Sequence, residues 1–222
     1  MSESDRSRER ILANLRAALK RREPLGGSER AALIARTAGG NRAVQPRIDG
    51  DPVERFCERL RMVSGIVTRL DDLEQVANLV ASHLDAYALP PRLVVAADER
   101  LDGIPWSNRL QVERRAAIGS DRCSVNCAFA AVAETGSVVL LSGADSPTTL
   151  NFLPEDHLVV VPESCIVPNL EDVWSRLRAQ RPDRPRTVNF ITGPSKTADV
   201  EFTLQEGAHG PRRIHAMVVA RL

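Results

Sequence analysis

The chain contains few aromatic residues, few cysteines and no large excess of either charge. Its 222 residues include five phenylalanines, two tryptophans, one tyrosine and four cysteines, and its formal net charge is +1. So small a net charge gives no field that would attract nucleic acid or a membrane, and so few aromatics give no platform on which bases would stack. We therefore expect no nucleic-acid partner.

Long apolar segments are lacking as well. No apolar run approaches the roughly 18 residues that a membrane-spanning helix needs, and the polar N-terminus has no signal-peptide core. With 43% hydrophobic and 27% charged residues, the composition is typical of an ordinary soluble protein. The sequence thus predicts no transmembrane segment and a cytoplasmic location.

The cysteines do not follow the spacing of a metal site. They occupy positions 57, 123, 127 and 165, and no Cys-x-x-Cys pair occurs. Zinc and iron–sulfur centres need four ligands at characteristic spacings, so we expect no metal in this chain and no iron in the isolated protein. Walker A, Gly-x-Gly-x-x-Gly and His-Glu-x-x-His patterns are also missing, so no cofactor is expected in the chain.

Hydrophobic periodicity divides the chain near residue 50. Residues 1–50 are predicted to be an N-terminal helical arm, whose first helix has an apolar stripe from Ile11 to Leu19 surrounded by arginines. Such a basic amphipathic helix could touch an anionic membrane or an acidic partner, or it could dock with a solvated basic face. Residues 51–222 are predicted to be an α/β domain, which opens with Asp51 and Pro52 at a helix start.

From residue 66 onward, short apolar strands alternate with helical patterns. The strand-like segments are 66–68, 93–97, 124–133, 138–141, 158–161, 187–191 and 214–219. Because they alternate with helical patterns and three of them, 93–97, 138–141 and 158–161, are apolar at every position, they favour an α/β fold with a mostly parallel sheet and helices on both faces. The turn at Glu134-Thr-Gly136 predicts a hairpin between 124–133 and 138–141.

The loop after the strand at 187–191 is the strongest candidate for a binding site. Ligands of open α/β sheets collect beyond the carboxyl ends of strands. Gly193, Ser195, Lys196 and Thr197 follow that strand, and Ser195 is predicted to cap a short helix whose free N–H groups and Lys196 would bind an anion. The alternative is a structural helix N-terminus whose acidic residues simply balance the helix dipole.

Three further side chains are candidates for the same site. Glu134 precedes a turn glycine and could serve as a base or a nucleophile. His209 lies on a Gly- and Pro-rich loop, and Arg212 could bind a carboxylate with two hydrogen bonds. We predict that Glu134, Lys196 and His209 surround one cleft at the carboxyl edge of the sheet.

Three segments resemble a known protein family. They are Ala133-Glu-Thr-Gly-Ser-Val-Val-Leu140, Leu150-Asn-Phe-Leu-Pro-Glu-Asp-His-Leu-Val-Val-Val161, and Thr192-Gly-Pro-Ser-Lys-Thr-Ala-Asp-Val-Glu201 followed by Gly207-Ala-His-Gly-Pro211. Together they resemble the lactate utilization protein C family, the single-domain LUD proteins, over about residues 125–222. The resemblance implies the fold shared by ribose-phosphate isomerases and CoA transferases, a Rossmann-like three-layer α/β sandwich.

The same resemblance implies an accessory role in oxidising L-lactate to pyruvate. The implied partners are iron–sulfur subunits, which would carry the clusters, while this chain would bind a small carboxylate or phosphate. Two other functions remain open at this stage. One is an acyl- or CoA-transferase-like or sugar-phosphate enzyme that uses Glu134, since related CoA transferases use a glutamate near a glycine. The other is a purely structural subunit.

Overall fold

The computed structural model describes residues 3–20, 25–38, 45–181, 183–200 and 203–222. It divides into two compact units, Met1–Val44 and Gln45–Leu222. The first unit contains helices α1 (Glu3–Ala18) and α2 (Gly27–Ala38). The apolar side chains of Ile11 and Leu15 in α1, and of Leu19 just after it, are exposed.

The second unit is built on a six-stranded parallel sheet. Its strands are β1 (Ile66–Leu70), β2 (Arg92–Val95), β3 (Gln111–Arg114), β4 (Cys123–Cys127), β7 (Asp156–Pro162) and β12 (Arg213–Val219). They are arranged in the order β1-β12-β7-β4-β2-β3, and every neighbouring pair is parallel. The predicted mostly parallel α/β architecture is therefore confirmed.

A helix covers one face of this sheet. Most of the strand residues that point to this face are apolar, so they need a covering layer. The face that carries Val125, Leu158 and Met217 packs against helix α4 (Glu74–Ala86) through Val76 and Val80. A parallel sheet buried on both faces needs such a layer on each side.

The opposite face is covered by helix α3 (Pro52–Met62) and a second sheet. Val159, Ala216 and Val218 pack there against Phe56 and Leu60 of α3. Helix α3 begins as predicted, with Pro52 in its first turn and the Asp51 side chain accepting the Val53 N–H at 3.1 Å.

The second sheet has four strands, in the order β8-β5-β6-β9. They are β5 (Ala130–Val132), β6 (Ser137–Leu141), β8 (Ile166–Val167) and β9 (Val188–Ile191), and helix α6 (Leu170–Gln180) packs on them through Val173. Strands β5 and β6 form the predicted hairpin across the turn at Gly136. Strand β9 pairs antiparallel with β6, so the predicted strand at 187–191 lies outside the parallel sheet.

A third, two-stranded sheet follows β9 directly. Strands β10 (Lys196–Val200) and β11 (Thr203–Glu206) pair antiparallel, with Lys196 opposite Glu206. The predicted short helix capped by Ser195 is therefore wrong. Ser195 precedes a strand, because Lys196 and Thr197 are paired with Glu206 and Gln205 of the neighbouring strand.

The remaining elements are short. Helix α5 (Thr149–Phe152) lies against β4 and β7, and one-turn 3-10 helices span Glu99–Leu101 and Glu163–Cys165. Within the described part of the chain, no helix is long and apolar enough to cross a membrane.

Candidate functional site

Two clefts lie at opposite edges of the parallel sheet. The first, which we call the amino-edge cleft, has a volume of about 550 Å³ and is formed by residues that precede β4, β7 and β12. It is lined by Gly119, Asp121, Arg122, Phe152, Leu153, Pro154, Glu155, Glu206, Gly207, Ala208, His209, Gly210 and Arg212. Two segments that carry the family resemblance, 150–161 and 207–211, thus meet at one cleft.

Ser195 holds the histidine loop of this cleft in place. Its N–H donates to the Pro211 carbonyl at 2.9 Å, its carbonyl accepts from the Gly207 N–H at 2.9 Å, and its hydroxyl accepts from the His209 N–H at 3.3 Å. Gly207 has φ +83°, which favours glycine. Because the Ser195 N–H is already bonded, Ser195 is a scaffold residue of the cleft and does not present a free amide to an anion.

Three arginines lie close to the Glu155 carboxylate in the amino-edge cleft. Glu155 Oε2 lies 3.3 Å from Arg122 Nη1, and Glu155 Oε1 lies 3.2 Å from Arg212 Nη1 and 3.8 Å from Arg213 Nη2. Arg213 is also paired with Asp156, so Arg122 and Arg212 share one negative charge between them. The exposed His209 lies in the same lining, together with Asp121 and Glu206, which pair with Arg115 and Lys196.

Lys196 and Gly193 lie outside the lining of this cleft. The Lys196 ammonium donates to Ser64 Oγ at 2.7 Å and lies 3.7 Å from Glu206 Oε1. Gly193 has φ +85°, and a Cβ there would come within 2.5 Å of the Val63 carbonyl oxygen. Both residues therefore join the 193–197 segment to the end of α3, and Thr197 continues into β10. The predicted anion site on the amides of 195–198 does not match this arrangement.

Glu134 is separated from the other candidates. It follows β5 in the second sheet, and its Oε2 accepts the Leu170 N–H at 3.2 Å at the start of α6. Its own N–H donates to the Pro168 carbonyl at 3.0 Å. The prediction that Glu134, Lys196 and His209 share one cleft at the carboxyl edge is wrong, because His209 precedes β12 and lies at the amino edge.

A buried ionic network that the sequence did not reveal lies next to the amino-edge cleft. Asp156, which is 0% exposed, accepts from His83 Nε2 at 2.8 Å and from Arg213 Nε and Nη2 at 2.5 and 2.6 Å. His83 and His215 are in contact through their Nδ1 atoms at 3.2 Å, and His215 Nε2 lies 2.9 Å from Thr68 Oγ1.

The network keeps Asp156 ionised. Burial alone would raise the pKa of Asp156, but the hydrogen bonds from His83 and Arg213 lower it below its usual value. The Arg213 guanidinium also stacks 4.2 Å from the centre of the Tyr87 ring. The one sequence signal for this network was a charged residue at the start of an otherwise apolar strand.

His157, the next residue, is fully buried on the other face of the sheet. Neither of its ring nitrogens has a hydrogen-bond partner among the described residues, and its strand neighbours are Ser124 and Ile214. Burial lowers the pKa of His157 to about 3 and, with a contribution from His83, lowers that of His215 to about 4.

The stability of the domain should therefore fall in mild acid. In the unfolded chain a histidine binds a proton below about pH 6.5, whereas folded His157 stays neutral, so lowering the pH favours unfolding. His157 alone should contribute a slope of about 1.4 kcal/mol per pH unit between roughly pH 4 and 6. Urea unfolding at several pH values measures this slope.

His157→Leu should lower that slope by about 1.4 kcal/mol per pH unit, the value for one proton. Ser124 is a buried neighbour that does not titrate, so Ser124→Ala should leave the slope unchanged. Equal slopes in the parent and in His157→Leu would contradict the interpretation.

The second cleft, which we call the carboxyl-edge cleft, has a volume of about 590 Å³. It is lined by Ala97, Asp98, Glu99, Arg100, Cys127, Phe129, Leu141, Gly143, Asp145, Ser146, Gln180 and Arg181. It opens between the neighbouring strands β2 and β4. The chain goes from β2 to β3 toward one edge of the sheet, and from β4 to β7 in the opposite direction. Such a reversal of strand order is where open α/β sheets bind ligands. No sequence motif pointed to it.

The four cysteines are all buried and unpaired. Burial raises the pKa of Cys127 and of Cys165 to about 12, so both remain thiols at neutral pH. In the described ranges, no group of three or more histidine, cysteine, aspartate or glutamate side chains is arranged to hold a metal ion.

Comparison with known proteins places this domain among established relatives. The family model described as LUD domain matches residues 53–219. The chain is 34% identical over 139 residues to lactate utilization protein C of Anoxybacillus flavithermus, and 32% identical over 167 and 141 residues to the proteins of the same name from Halalkalibacterium halodurans and an Exiguobacterium species.

These alignments cover 57%, 68% and 58% of this chain and 62%, 71% and 61% of the relatives, so the first relative is matched over less than two thirds of its length. A crystal structure of a DUF162 family protein from Deinococcus radiodurans superimposes with a TM-score of 0.57 at 22% identity, covering 78% of this chain and 99% of that one. This likeness supports the fold. The relation to ribose-phosphate isomerases and CoA transferases stays a prediction.

Proposed function

The chain belongs to the LUD domain family, and on this premise we propose that it is an accessory subunit of a bacterial L-lactate utilization system. Residues 51–222 would form the functional domain, residues 1–50 an appended helical arm, and the protein would act in the cytoplasm. Support comes from the relatives named lactate utilization protein C, at 32–34% identity.

The redox step is assigned to partner subunits. Oxidising L-lactate to pyruvate removes two electrons, and this sequence carries no nicotinamide, flavin or cluster fingerprint. We therefore propose iron–sulfur subunits as partners that accept the electrons. The role of this chain would be to bind a small carboxylate and to complete the assembly.

The observation that carries the binding role is the amino-edge cleft, where Arg122 and Arg212 share Glu155. A bound lactate or pyruvate carboxylate would accept two hydrogen bonds from Arg212. It would also help Glu155 to neutralise the positive charges of Arg122 and Arg212. His209 lines the same cleft and would be close enough to contact the substrate hydroxyl or keto oxygen.

The runner-up, a transferase-like or sugar-phosphate enzyme that uses Glu134, has less support. The Glu134 carboxylate accepts the Leu170 N–H and lines neither the amino-edge nor the carboxyl-edge cleft. A nucleophile in acyl transfer has to face a cavity that admits its substrate. We do not propose a catalytic role for Glu134.

The carboxylate site predicts opposite effects for two substitutions. Arg212→Ala should weaken lactate or pyruvate binding about tenfold, which is about 1.4 kcal/mol. Glu155→Gln should strengthen it, because the internal carboxylate that competes for Arg122 and Arg212 is removed. Calorimetric titration with lactate, pyruvate and phosphate measures both effects. Arg221→Ala, an exposed arginine beyond the opposite end of β12, is the control.

The same variants should be tested in the source cells. A strain that lacks the gene should fail to grow on L-lactate, the parent gene should restore growth, and Arg212→Ala should restore it poorly. Purification from lactate-grown cells should recover iron–sulfur proteins with the chain. Normal growth of the deletion strain on L-lactate would overturn the proposed function, whereas unchanged binding in Arg212→Ala would overturn only the site.

A further inference from the structure

We propose that the carboxyl-edge cleft and the basic groove beside it bind a nucleoside diphosphate. This site is distinct from the amino-edge cleft and goes beyond the lactate role. The groove has a volume of about 650 Å³ and lies between residues 142–148 on one side and Arg181 with residues 183–187 on the other. A smaller pocket of about 200 Å³ opens at Trp174. Arg181 lines all three cavities, so they adjoin one another at this residue, and we refer to the three together as one depression.

Four arginines without an ion pair to a described residue border this depression. Arg178, Arg181, Arg184 and Arg186 line it, and within the part of the chain that the structure describes none of them forms an ion pair. The carboxylates that line the three cavities are Asp98, Glu99, Asp145 and Asp183. Asp98 pairs with Arg100, so the four arginines face three further carboxylates. Arg100, which lines the same depression, is by contrast paired with Asp98 at 2.6 Å.

Arginine at the end of a helix has an ordinary structural role, because it stabilises the carbonyl end of the helix dipole. That role explains Arg178 and Arg181 at the end of α6. It does not explain Arg184 and Arg186, which lie beyond the helix in the segment that forms the groove wall. A guanidinium fork matches phosphate oxygens, so two linked phosphates fit this arginine group better than a single carboxylate does.

An exposed aromatic ring lies at one end of the arginine group. Trp174 is 42% exposed and packs at 5.6 Å between ring centroids against Phe190, which holds it at the rim of the smaller pocket. Arg178, Arg181 and Arg184 line the same pocket. A nucleobase stacked on Trp174 would place its phosphates beside these guanidinium groups.

The inner end of the depression is rigid and polar. Arg100 donates to the Ala128 carbonyl at 2.9 Å as well as to Asp98, and the buried Asn126 donates to Ser146 Oγ at 3.2 Å. The Oδ1 atom of Asn126 is buried and has no partner among the described residues. Ser146 therefore offers a fixed hydroxyl group at the switch point of the sheet, the place where such folds bind ligands. The chain has no glycine-rich phosphate loop, so side chains would hold the phosphates.

Calorimetry with ADP, adenosine and inorganic pyrophosphate tests the site. ADP should bind in a saturable one-to-one manner at physiological ionic strength, and adenosine should bind at least tenfold more weakly. The double variant Arg181→Ala, Arg184→Ala should weaken both ADP and pyrophosphate by more than tenfold. Trp174→Ala should weaken ADP about tenfold and leave pyrophosphate unchanged. These are paired results that a diffuse basic surface would not give.

Two controls separate this proposal from the lactate role. Arg212→Ala, in the amino-edge cleft, and the exposed Arg221→Ala should both bind ADP like the parent. No ADP binding at millimolar concentration, or equal loss in Arg221→Ala, would overturn the nucleotide site. A third result would also overturn it: the parent binds no ADP, and the Arg181→Ala, Arg184→Ala variant loses a partner protein from the purified complex. The groove would then hold an acidic protein segment.

Discussion

Replacing Asp156 by asparagine is expected to destabilise the folded domain by about 3 kcal/mol, because it removes the charge from a buried ionic network. The asparagine amide would direct a donor toward His83 or Arg213, which are donors themselves, and the Arg213 guanidinium would lose its bidentate partner. A loss of this size is a large share of the 5–15 kcal/mol that typically stabilises a domain. Urea unfolding followed by circular dichroism measures it.

Asp145→Asn is the matched control for this experiment. Asp145 is exposed on the loop after β6 and forms no ion pair with a described residue. Its replacement should change stability by less than about 0.5 kcal/mol. The Asp156 contribution should also disappear as the pH falls through its lowered pKa, since protonation removes the charge. If Asp156→Asn and the control unfold at the same urea concentration, the ionic network contributes little to the stability of the domain.

Gly136→Ala is expected to destabilise the domain by about 3 kcal/mol or more. Gly136 has φ +73°, and a Cβ there would lie 2.4 Å from the Leu60 nitrogen and 2.6 Å from the Arg59 carbonyl carbon. The left-handed backbone costs an alanine about 1–2 kcal/mol, and overpacking adds about 1–3 kcal/mol. Because the contacts are backbone atoms of α3, no side-chain rotation relieves them, and the hairpin would have to move away from the helix.

Gly143→Ala is the control for this second variant. Gly143 is exposed, and the nearest atom to an added Cβ is the Asp145 nitrogen at 3.9 Å. Its unfolding midpoint should stay close to that of the parent. If Gly136→Ala unfolds at the same urea concentration as Gly143→Ala, the close packing of the hairpin turn on α3 does not limit stability.

The sequence by itself determined the general architecture. The segments 93–97 and 158–161 are apolar at every position, which favours burial on both faces and therefore a covered parallel sheet. The turn at Glu134–Gly136 identified the hairpin because a glycine at positive φ is a local requirement of the chain. The segments at 133–140, 150–161 and 192–211 also identified the family, since they are local patterns that do not depend on tertiary contacts.

Only the tertiary structure decided where the candidate residues lie. The strand at 188–191 is apolar like the others, and apolarity does not specify a partner, so its membership of the second sheet was not predictable. His83, Asp156 and His215 are separated by 73 and 59 positions in the sequence. Arg181 meets the cleft at the end of β2 only after the chain has folded. Local patterns report which residues are buried or turn-forming, whereas a site depends on distances between remote segments, and those are set by strand order.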